Sequence, residues 1–85
     1  MKIIKISALW CSACLITGKA LNKIKEEYPD IEIENLDYDY DEDEVSKYNV
    51  GTKLPVLIFL DGDKEINRLI GEKNYKEIKE AIGRD

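Results

Sequence analysis

The sequence predicts an α/β domain with its elements in the order β-α-β-α-β-β-α, a strand-helix-strand unit followed by a hairpin and a closing helix. Three observations carry this expectation. The apolar run Ile3-Ile4-Lys5-Ile6 gives way at Ser12 to apolar side chains recurring at steps of three and four. A second run, Val56-Leu57-Ile58-Phe59-Leu60, is continuous and bounded by turn residues. Asp61-Gly62-Asp63 then reverses the chain into another strand-like segment. With 85 residues there is room for one core, so residues 1–85 are read as a single domain.

Taken in order, residues 2–7 form a short strand whose β-branched, almost unbroken apolar character suits the inside of a sheet. From Ser12 to about Tyr28 the stripe Cys14, Thr17, Leu21, Ile24 and Tyr28 marks one buried helical face, with Lys19, Asn22, Lys23 and Glu26 opposite. Gly18 weakens that helix by about 1 kcal/mol against Ala, which points to a close approach there. Pro29-Asp30 ends it. Ile31-Glu32-Ile33-Glu34 alternates, so residues 31–37 read as a half-buried strand at or near an edge.

The acidic segment Asp37 to Glu44 leads into a short helix carrying Val45 and Tyr48, and carboxylates at a helix start suit its positive end. Asp37, Asp39 and Asp41 imitate the opening of a calcium loop. However, Glu42 stands where that loop needs Gly and Tyr48 where it needs Glu, so a solvated cap is the reading adopted. Val56–Leu60 is expected as a central strand, Lys64–Ile70 as its hairpin partner, and Gly71 as the break. Asn74 with Glu77 three positions on starts a last helix with Tyr75, Ile78 and Ile82 inward.

The totals narrow the function. A net charge of −5 argues against general nucleic-acid binding, which needs a basic footprint. No apolar run approaches the length of about 20 residues that spans a bilayer, and no signal-peptide pattern opens the chain. A cytoplasmic location is therefore expected, without nucleic-acid or membrane partners. In that compartment thiols are kept reduced, and a lone Cys-x-x-Cys points to catalysis or metal rather than architecture.

The only two cysteines and the only tryptophan lie together in Trp10-Cys11-Ser12-Ala13-Cys14. Thiols at this spacing can close a small disulfide ring at a helix start, a reversible redox device. The helix N-terminus lowers the thiol pKa of Cys11, which the periodicity leaves exposed, while Cys14 borders the buried face. Cys11 is then the attacking nucleophile and Cys14 the resolver that breaks the mixed disulfide. Structural zinc usually takes four ligands from Cys and His, and this chain has no His and no further Cys; no metal is expected, although two thiolates suit Cu(I) chemically. Two buried cysteines without chemistry stand as the other alternative.

These residues resemble the active site of the thioredoxin family. A second match lies forty-one positions after Cys14, at Lys53-Leu54-Pro55-Val56, which resembles the family's cis-proline loop. Asp61-Gly62 and Gly71 match further family positions. The resemblance implies a minimal thioredoxin-like fold, a four-stranded mixed sheet flanked by helices, in a chain that is similar to a glutaredoxin in size. It implies a thiol-disulfide oxidoreductase acting as a protein-disulfide reductase, with no cofactor beyond the Cys11–Cys14 pair. Its partners would be disulfide-containing proteins and an electron donor that is thioredoxin-reductase-like or glutathione-based. By the same resemblance Leu54 presents its backbone to substrate beside Pro55, and Trp10 and Gly71 border the docking groove. A glutathione-coupled reductase and a redox-inactive binding module that keeps the fold are the alternative functions.

Some neighbours depart from the family pattern. Ser12-Ala13 replaces the usual dipeptide, Leu15 follows the second cysteine where a basic residue is common, and Lys5 occupies the place of a buried acid. Lys5, Ser12 and Ala13 are therefore expected to tune the thiols. For Lys5 two readings stand. A cation near Cys14 would favour its thiolate, whereas a side chain snorkelling past the strand end would leave the charge in water.

Overall fold

A computed structural model describes residues 1–83. Strand β1 (Lys2–Ser7) leads to helix α1 (Ser12–Glu27), strand β2 (Glu32–Asp37) and the short helix α2 (Glu42–Ser46). The hairpin of β3 (Val56–Asp61) and β4 (Lys64–Ile70) follows, and helix α3 (Tyr75–Ile82) closes the order. One mixed sheet runs β2-β1-β3-β4. β1 is parallel to β2, with Lys5 opposite Asn35, and antiparallel to β3, with Lys5 opposite Leu57. The strand-helix-strand unit thus places β2 at an edge and the two most apolar strands in the middle.

Alternation along the central strands divides the core between the two faces. Ile3, Leu57 and Phe59 meet Leu21 and Ile24 of α1 and Ile78 and Ile82 of α3. Ile4, Ile6, Val56 and Ile58 face the other way, toward Leu36 and Val45, and this cluster includes both cysteines and Leu54. Ile3, Ile6, Leu57, Ile58 and Phe59 are fully buried, each such side chain stabilising by about 1.5–3 kcal/mol. The outer strand β4 is protected differently: it is mostly exposed, and Arg68 donates two hydrogen bonds of 2.8 Å to the Glu65 carboxylate.

Local chemistry explains the element ends. Asn74 accepts from the Glu77 backbone N–H while the Glu77 carboxylate accepts from that of Asn74, a complete capping box. Gly62, at φ 65°, makes the two-residue turn between β3 and β4. The α1 helix is joined to the approach to α3 by Thr17, a fully buried residue whose hydroxyl accepts from the Lys73 N–H at 3.1 Å. In the acidic segment, Asp37 Oδ1 accepts from the N–H groups of Asp39 and Tyr40, and Asp41 Oδ2 from that of Asp37. These carboxylates therefore fold their own loop.

Candidate active site

β1 ends at Ser7, and Ala8–Trp10 carry the chain to the start of α1, where Cys11 is the N-cap with extended backbone (φ −99°, ψ 103°). Its N–H donates to Ala8 C=O at 3.1 Å. The N–H of Cys14 points back and donates to Cys11 Sγ at 3.2 Å, so the sulfur occupies the place a Ser or Asp oxygen fills at an ordinary N-cap. The two cysteines form a disulfide with their Cα atoms 5.3 Å apart. No acidic residue lies in the first turn of α1, so no carboxylate of that turn opposes negative charge at the helix's positive end.

Periodicity alone leaves Cys11 exposed, and the structure corrects this: Cys11 is 9% exposed and Cys14 3%. The disulfide turns the Cys11 sulfur inward, where Ala8, Leu54 and Cys14 belong to the same buried cluster. A helical wheel describes one helix and carries no information about a loop packed over its end.

That loop is the Leu54–Pro55 segment, whose peptide bond is cis. Pro55 is fully buried and Leu54 is 7% exposed. Pro55 C=O accepts from Gly71 N–H at 2.8 Å, joining the start of β3 to the end of β4. Gly71 has φ 91°, and a Cβ there would lie 2.9 Å from Cε of Lys53. Both facts favour glycine, because an L side chain would be strained and would also push the Lys53 stem aside. Leu54, Pro55 and Gly71 are thus coupled through backbone and packing.

Trp10 is 63% exposed, and its indole N–H donates to Asp39 Oδ2 at 2.8 Å. It stands beside the disulfide rather than in the core. Leu9, Leu15 and Tyr40 are also exposed, so apolar surface flanks the cysteines in sequence on both sides and continues next to Asp39. The sequence pointed to Leu15 but did not connect Asp39 with Trp10, because a separation of 29 positions leaves no periodic signal. Ser12 is exposed, whereas Ala13 is half-buried against the cluster containing the cysteines.

Lys5 projects to the same side of β1 as Ile3, toward α1. Its ammonium lies against Gly18, where a Cβ would be 2.8 Å from Nζ. It lines a cavity of about 540 Å³ with Gly18, Lys25, Asp30, Glu32 and Asn35 among its walls. Burial pushes its pKa below the ordinary lysine value.

A redox-ready cysteine pair at a helix start, faced by a cis-proline loop on a β2-β1-β3-β4 sheet, defines a class of dithiol–disulfide exchange proteins. Comparison with known proteins gives the family. The Thioredoxin family profile matches residues 1–84. Thioredoxin-2 of Saccharomyces cerevisiae is 35% identical over 80 residues, covering 94% of this chain and 75% of the yeast protein. Thioredoxin H5 of Oryza sativa subsp. japonica is 31% identical over 94% of this chain, which spans 58% of the rice protein. The X-ray structure of Fasciola hepatica thioredoxin superposes with a TM-score of 0.87 at 29% identity, covering 98% of this chain and 78% of that one. A malaria-parasite thioredoxin-2, 22% identical, has the same fold at a TM-score of 0.89 over 99% of this chain and 82% of its own. The chain belongs to the thioredoxin family, and it is a thiol-disulfide oxidoreductase built on the Cys11/Cys14 pair.

Proposed function

We propose that this protein reduces disulfides in other proteins in the cytoplasm. The observation that carries the reading is the hydrogen bond from Cys14 N–H to Cys11 Sγ at an α1 first turn without carboxylates. Once the pair is reduced, that N–H and the helix dipole favour the Cys11 thiolate, the reactive species. The thiolate attacks one sulfur of a substrate disulfide. The substrate S–S bond breaks, its other sulfur leaves as a thiolate that takes up a proton, and a mixed disulfide remains on Cys11. Cys14, deprotonated, attacks Cys11 Sγ, releases the second substrate thiolate and closes the Cys11–Cys14 disulfide. The substrate has gained two electrons and the protein has lost two.

A thioredoxin-reductase-like protein or a glutathione-based system returns those electrons, and the cysteine pair is the only redox group used. Substrate lies between Trp10 and the loop of Leu54, Pro55 and Gly71, with its backbone against that of Leu54. Exposure of Trp10 beside the sulfurs supports this docking, as does the apolar surface of Leu15. No helix among the described residues is long and apolar enough to cross a membrane.

Substitution Cys14→Ser tests the division of labour. The variant should accumulate mixed disulfides on Cys11 with a model protein disulfide, detectable as a dithiothreitol-sensitive mass increase, while the wild type turns over. Adducts absent from Cys14→Ser, together with no turnover by the wild type, would make the chain a binding module instead.

A further inference from the structure

Reduction leaves Cys14 with a problem that the hydrogen bond at Cys11 does not address. Its sulfur is almost wholly buried in an apolar cluster, and such surroundings raise a thiol's pKa. The resolving step nevertheless needs its thiolate.

The nearby strand supplies a charge. Lys5 lies on the α1 side of β1, and its ammonium occupies the space left by the missing side chain of Gly18. Gly18 is four positions after Cys14, a rise of about 6 Å along the helix, and residues so spaced share a helix face. Gly18 and Cys14 thus lie one turn apart on α1, and the ammonium is seated at the Gly18 end of that turn. The other charged groups of the cavity lie on α1, β2 and the loop between them. Lys25 donates to the carbonyls of Pro29 and Ile31, Glu32 pairs with Lys2, and Asp30 lines the wall. Burial is the cause that depresses the Lys5 pKa, with no carboxylate offsetting it. The cavity leaves the ammonium in contact with open space rather than sealed in the core.

We propose that Lys5, seated against Gly18, is a positioning residue that stabilises the Cys14 thiolate in the resolving step. It touches neither substrate nor the attacking sulfur. Its field favours loss of the Cys14 proton to water when the mixed disulfide forms, so that Cys14 attacks Cys11 faster near neutral pH. The inference deepens the dithiol mechanism proposed above and rests on it.

The experiment titrates Cys14 alone, by thiolate absorbance in the Cys11→Ser chain, with and without Lys5→Met. Lys5→Met is expected to raise the Cys14 pKa by about one unit. In the chain with both cysteines, resolution of a preformed mixed disulfide on Cys11 should then slow about tenfold at neutral pH, and the difference should vanish in alkali, where Cys14 is ionised without help. Gly18→Ala keeps the charge but drives the ammonium from its seat, and should raise the Cys14 pKa by a smaller amount. A Cys14 pKa unchanged in Lys5→Met, or a slowing that persists undiminished in alkali, overturns the proposal. Because the titration needs no turnover, failure of Lys5 to act is distinguishable from failure of the reductase reading, which the Cys14→Ser trap decides.

Discussion

Helices α1 and α2 use the same backbone physics at their starts for opposite ends. At α1 the first turn holds no acid, and a sulfur shares the Cys14 N–H with the Cys11 carbonyl. At α2 the first turn is Glu42, Asp43 and Glu44, and the N-cap Asp41 spends its carboxylate on the N–H of Asp37. A helix start is a site of positive partial charge. Filled with permanent carboxylates it stabilises; left without them it favours whatever anion forms there later. A short helix of five residues needs the first use, whereas the sixteen-residue α1, anchored by Leu21 and Ile24 in the core, does not. In the mechanism proposed above, the Cys11 thiolate is favoured because the first turn of α1 holds no acid.

Carrying an acid from one helix to the other should break the contrast most visibly. Ser12→Asp places a carboxylate on the exposed first residue of α1. It should raise the Cys11 thiol pKa by about one unit and slow disulfide reduction about tenfold at neutral pH. Thermal unfolding should meanwhile show a chain as stable as the wild type or more so by about 0.3–1 kcal/mol, since the acid suits the dipole. A loss of rate accompanied by a loss of stability would refute this account.

Next in size is the wall that α1 faces and α2 lacks. Gly71→Ala forces a left-handed backbone on an L residue against the Lys53 stem, and should cost about 1–2 kcal/mol in denaturant unfolding. Reduction should slow as well, because the strained backbone would shift the N–H that donates to Pro55 C=O. At α2, Glu42→Gln should remove only about 0.3–1 kcal/mol and leave reduction untouched; a rate change would mean that the acidic segment takes part in exchange.

The smallest effect is a control in neither helix. Hydrogen bonds from Arg68 hold the Glu65 carboxyl below its ordinary value. A depressed acid contributes stability above the ordinary glutamate range and loses it as pH falls through the folded value. Exposure limits the contribution to about 0.5 kcal/mol. The Glu65→Gln difference in melting temperature should accordingly be small at neutral pH and disappear in acid.

How much of this was legible in the sequence depended on distance along the chain. Patterns a few residues long were faithful: the α1 stripe, the Asn74–Glu77 cap, the turn at Gly62 and the position of β2 at an edge all came from neighbours shaping neighbours. The cysteine pair and the proline were legible as short motifs. What escaped was contact between remote segments. Burial of Cys11 depends on Leu54, the pose of Trp10 on Asp39, and the seat of Lys5 on the absence of a side chain at Gly18. Sequence did flag Gly18 as a close approach, without naming what approaches.

Thr17 gives α1 an anchor. Its hydroxyl sits on the helix face just beyond Cys14 and grips Lys73, two residues past Gly71. The helix that carries the cysteines is therefore tied to the segment after Gly71 through an oxygen that takes no part in electron transfer. Opening the disulfide breaks a bond within α1's own end and does not involve this hydrogen bond.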